Sequence, residues 1–87
     1  MPGFEFGDKI DGIKTREDLV RFIQELRAAY TNKSFTWDNN NLDSFLDALA
    51  AWTHDMDGYY KHKGMEPPKE PTWRTFADML MAATMYE

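Results

Sequence analysis

Hydrophobic positions recur along most of this chain at intervals of three and four residues, the spacing of a single buried helical stripe. Leu19, Phe22, Ile23, Leu26 and Tyr30 form the first such series. Thr15 and Asp18 stand ahead of it in capping-box spacing, with Asp replacing the usual Glu. The opposite face holds Glu17, Arg21, Gln24, Glu25 and Ala28, and Asn32, Lys33 and Ser34 close the helix. The second series is the longest: Leu42, Phe45, Leu46, Leu49, Trp52, Met56, Tyr59 and Tyr60. It follows Phe35-Thr36-Trp37 and the turn- and cap-forming run Asp38-Asn39-Asn40-Asn41. Gly58 should weaken its last turns.

Gly64, Pro67, Pro68 and Pro71 exclude a helix between Lys61 and Pro71. Thr72 can then cap a third helix that turns Trp73, Phe76, Ala77, Leu80 and Ala83 inward. The pattern predicts an all-α protein, a compact bundle of three main helices over about 15–31, 40–60 and 72–86. Residues 1–14 combine three glycines with Phe4, Phe6, Ile10 and Ile13 and have no period. They are expected to form an irregular arm, partly packed on a single helical domain of residues 15–87.

Composition narrows the chemistry. With 87 residues the chain suits one domain, and with no cysteine it has neither disulfides nor thiolate metal sites. A formal charge of −5 disfavours nucleic acid as a partner. No apolar run approaches a membrane span, and Met1–Phe6 lacks the features of a signal peptide, so a soluble, cytoplasmic protein is expected. The thirteen aromatic side chains fall mainly on the buried stripes and are expected to serve the core.

Five Asp and no Lys or Arg lie between Ser34 and Tyr60. On the second helix Asp43, Asp47, His54 and Lys61 share one stripe, with Ala50 between them and Asp57 at its margin. This ridge can dock a basic protein, or it is the ordinary solvent face of an amphipathic helix. Metal binding would pair His54 with Asp57 or Asp47, but the set is too small for a closed zinc site, and the calcium-loop spacing is absent. No nucleophile elbow or phosphate loop is present either. No cofactor is expected, and a small metal-dependent enzyme is the least favoured reading.

The third helix is apolar nearly all round from Met79 to Tyr86, with Met81 and Met85 on one flank. Such a helix is central to its own fold or contacts another protein, and methionine suits adaptable contacts.

Three phrases together carry a resemblance: Trp37-x-Asn39-x-x-Leu42-x-x-Phe45-Leu46-x-Ala48, then Trp52-x-x-Asp55-Met56-x-x-Tyr59-Tyr60, then Pro71-x-Trp73-x-x-Phe76-Ala77 running to Tyr86-Glu87. Over about residues 15–87 the chain resembles a family of small uncharacterised bacterial proteins, a domain of unknown function. The resemblance implies no catalytic residues. By analogy it implies an immunity or accessory protein of a toxin locus. Within the phrases, Asn39 is expected to cap the second helix, and Asp55 to accept a hydrogen bond from a Trp, Tyr or backbone donor. The expected function is a non-enzymatic protein-binding module, toxin-neutralising in its sharpest form, with a self-associating structural module as the alternative. The candidate binding residues are Asp43, Asp47, His54, Asp57, Met81 and Met85.

Overall fold

The computed structural model describes residues 10–33 and 37–86. Three long helices carry the fold among the described residues: α1 (Arg16–Asn32), α2 (Leu42–His62) and α3 (Trp73–Ala83). Among the described residues there is no strand. The helix count and class agree with the hydrophobic pattern, and the ends differ by up to three residues.

Each start follows from local chemistry. The Thr15 hydroxyl accepts from the Asp18 amide at 3.1 Å, and the Asp18 carboxylate accepts from the amides of Lys14 and Thr15. These bonds satisfy donors that the first turn of any helix leaves open. α3 repeats the device with Thr72 and Thr75. The cap of α2 is Asn41, whose Oδ1 accepts from the Ser44 amide at 2.8 Å. Asn39, expected in that role, lies two residues too early and works elsewhere: its Nδ2 donates to the carbonyls of Ala83 and Tyr86, and its amide donates to that of Thr84. Those carbonyls sit at the end of α3, so Asn39 finishes the third helix rather than starting the second. This explains why α3 stops at Ala83 and not at 86.

Gly58 does not interrupt α2, which continues to His62. Lys63 caps it, and Gly64 takes the left-handed conformation (φ 74°) that releases the chain into the proline segment. α1 ends on Lys33, also left-handed at φ 56°.

The stripes predict the packing only in part. Phe22, Leu26 and Ala29 of α1 are buried against Ala77 of α3, with Ile10 and Ile13 completing the cluster. The arm is therefore packed at its C-terminal end, while Phe4 and Phe6 lie outside the described residues. Both α1 and α2 pack on α3, but no Cα of α1 comes within 8 Å of one in α2. Each long helix is thus covered on one side only. Ile23 and Tyr30 on α1, and Leu42 and Leu46 on α2, were expected inside and remain exposed, Leu42 by 72 %. Trp73 and Phe76 of α3 are also more than a third exposed.

Two predictions separate true core from exposed stripe. Phe22→Ala should cost about 3–5 kcal/mol in urea unfolding, whereas Leu42→Ala should cost under about 1 kcal/mol. Gly58→Ala should stabilise by roughly 0.5–1 kcal/mol, because an added Cβ meets no atom within 4 Å and alanine restricts the unfolded chain.

Candidate functional site

Asp43, Asp47, His54 and Asp57 all lie on the exposed side of α2. The structure does not bring His54 to Asp47 or Asp57: its Nδ1 lies 2.9 Å from Oδ1 of its neighbour Asp55. The same carboxylate accepts from the Tyr86 hydroxyl through Oδ2 at 2.8 Å. The tyrosine donor expected for Asp55 is therefore present, and it ties the segment after α3 to the middle of α2. The bonds from His54 and then Tyr86 hold the Asp55 carboxyl below its ordinary range, and the bond to Asp55 pushes the Tyr86 hydroxyl up. Among the described residues, no three His, Asp or Glu side chains are grouped as a metal site.

Met81 and Met85 separate. Met81 is half-buried against the core cluster, and Met85 is 49 % exposed. Both line a recess of about 320 Å³ with Ile10, Trp52, Tyr59 and Asp78. The apolar character of α3 thus has an internal cause: the helix is packed by α1 and by α2.

Asp78 is a residue that the hydrophobic pattern passed over. It is 7 % exposed, and its Oδ2 accepts from the buried Tyr60 hydroxyl at 2.6 Å. One turn earlier on α3, Arg74 reaches Asp11 of the arm at 2.8 Å. Burial pushes the Asp78 carboxyl up, against the opposing pull of the Tyr60 bond and of Arg74 and Lys63. Burial and the same bond push the Tyr60 hydroxyl up. A lone carboxylate amid Phe76, Ala77, Met79 and Leu80 was the available signal for a buried polar partner. Its chemistry is structural: a neutral donor closing on a buried acceptor and pinning α3 to the end of α2.

An open apolar surface lies between α1 and α2. A groove of about 340 Å³ runs between them, with Leu80 of α3 and Trp37 between its walls. One wall is Ile23, Leu26 and Tyr30, with Arg27 beside them; the other is Leu42 and Phe45. Trp37 joins the walls, edge-on to Tyr30 with ring centroids 5.0 Å apart and stacked on Phe45 at 5.8 Å. The Tyr30 hydroxyl donates to the Asn40 carbonyl at 3.0 Å and closes one end. Leu46 continues the exposed strip one turn beyond Leu42. Their positions on the hydrophobic stripes predict core packing, so these side chains do not stand out in the sequence as a surface. Their stripe spacing is the same whether or not a neighbouring helix covers it.

The buried pair gives a prediction with a defined sign. Asp78 binds its proton more tightly folded than unfolded. Its contribution to stability is therefore full below the ordinary carboxylate range and is lost as pH rises through the raised value. Asp78→Asn removes that dependence, so the variant should gain on the wild type between pH 4 and pH 7, measured by urea unfolding at each pH. Tyr60→Phe, which leaves the carboxylate without its donor, should cost about 1–3 kcal/mol at pH 7.

No curated protein and no solved structure matches this chain. The model of a family of unknown function, DUF7660, matches residues 15–87, the same span that carries the three phrases and leaves the arm outside. The chain belongs to that family.

Proposed function

We propose that this chain is a non-enzymatic protein-binding module and that its docking surface is the groove between α1 and α2. The observation that carries the reading is that no Cα of α1 comes within 8 Å of one in α2, while Ile23 and Tyr30 on α1 and Leu42 and Leu46 on α2 are exposed. Small proteins that keep an apolar strip of this kind open generally use it for contact. Its occupant needs an apolar face with an acidic group at its edge, because Arg27 borders the α1 wall.

This moves the expected surface. Asp43 and Asp47 share the first half of α2 with Leu42 and Leu46, on its solvent side, whereas His54 and Asp57 lie further along α2 and Met85 lies beyond the end of α3. An immunity-type role is the form of this reading in which a basic bacterial toxin is the occupant, steered by the acidic first half of α2.

A photo-crosslinking residue at Leu42 or Ile23 tests the reading in native host cells. Both positions should yield protein adducts, and the same residue at Met85 should yield none. Absence of any adduct from the groove positions would overturn the proposal. If the adduct is a basic protein, Asp43→Lys with Asp47→Lys should slow its association strongly at low salt and little at high salt, since the Debye length is only about 8 Å at physiological ionic strength.

A further inference from the structure

A second opening, separate from the groove, is the recess beside the methionine-rich end of the fold. We propose that it binds a methylated quaternary ammonium ion, a small cation of the choline type, with its charge set against the Asp78 carboxylate. The proposal does not depend on the groove being a docking surface.

The recess encloses about 320 Å³, at the lower end of the range of about 300–1,000 Å³ that small ligands occupy. Aromatic and thioether side chains make most of its lining: Trp52, Tyr59, Tyr86, Met81 and Met85. The Trp52 and Tyr59 rings stand 5.2 Å apart at 61° and so form a corner. The Tyr86 hydroxyl is held by Asp55 at 2.8 Å, which anchors the third ring. The charged member of the lining is Asp78, 7 % exposed. Its Oδ2 is taken by Tyr60, while Oδ1 accepts no hydrogen bond among the described residues and is not sealed from water. The nearby cations are engaged elsewhere and do not line the recess: Arg74 with Asp11 at 2.8 Å, and Lys63 at 5.0 Å from the Tyr59 ring centroid. An apolar recess therefore holds a carboxylate without a counter-ion at contact distance. Burial pushes that carboxyl up, and a cation bound beside it would offset the cost.

The walls select the kind of cation. A primary ammonium brings three N–H donors to one free carboxylate oxygen and leaves the others unpaired in an apolar space. A quaternary ammonium has no donor to satisfy, and its methyl-covered charge is attracted to ring faces and to the carboxylate alike. The formal −5 of the chain favours a free cation over a choline headgroup that carries a phosphate.

Titration of the full chain with choline, followed by proton–nitrogen NMR, tests this. Choline should shift the Trp52 indole signal with a Kd of about 1 mM or below, and tetramethylammonium should compete for the site. Ethanolamine lacks the methyl groups on nitrogen and dimethylbutanol lacks the charge. Each should bind at least about tenfold more weakly than choline, and phosphocholine should bind no better than choline. Asp78→Asn, which keeps the shape of the side chain, and Tyr59→Leu should each weaken choline about tenfold, while Tyr59→Phe and Leu42→Asp should leave it unchanged. No saturable shift up to about 10 mM choline would overturn the proposal. Equal affinity for dimethylbutanol, tighter binding of phosphocholine, or a Kd indifferent to Asp78→Asn and Tyr59→Leu would do so as well. If Asp78→Asn does not fold, the contrast between Tyr59→Leu and Tyr59→Phe decides.

Discussion

Everything in this fold depends on α3 being packed from two sides by helices that do not pack on each other. On its contact surface Ala77 and Ala83 are fully buried, and Leu80 and Met81 pack against the core cluster beside them. Close approach on both sides consumes the inward face of α1 and of α2, and the distance between those two helices follows from it. The groove is the geometrical remainder of a three-helix arrangement in which the shortest helix is the central one.

A short central helix has few contacts with which to hold two longer ones, and the polar side chains compensate at its ends. Asn39 occupies the carbonyls at its C-terminus, and Tyr86 carries the following segment to Asp55 on α2. Near its middle, Asp78 receives the Tyr60 hydroxyl, and Arg74 draws in the arm through Asp11. Each is a specific bond between segments distant in the chain: those of Asn39, Asp55 and Tyr60 tie α2 and the segment before it to α3 and the segment after it, and that of Arg74 ties the arm to α3.

At the methionine-rich end, a helix apolar on all sides was expected either to be central to its own fold or to contact another protein, and α3 is packed by both α1 and α2. The unfilled surface lies on those two helices, whose stripes looked complete.

Periodicity, caps and prolines determined the three helices, their class and nearly all their limits, because these depend on interactions within a few residues. Thr15 with Asp18, and Thr72 with Thr75, are local bonds readable from spacing alone. Asp55 was recognisable as an acceptor because a carboxylate at the edge of an apolar stripe needs a donor. The tertiary structure decided which residues of each stripe are covered, that Asn39 serves α3 rather than α2, and that Asp78 is buried. A stripe specifies only that one side of a helix prefers contact. How much of that side is covered depends on the position of the other helices, and in this chain α3 takes the place between α1 and α2.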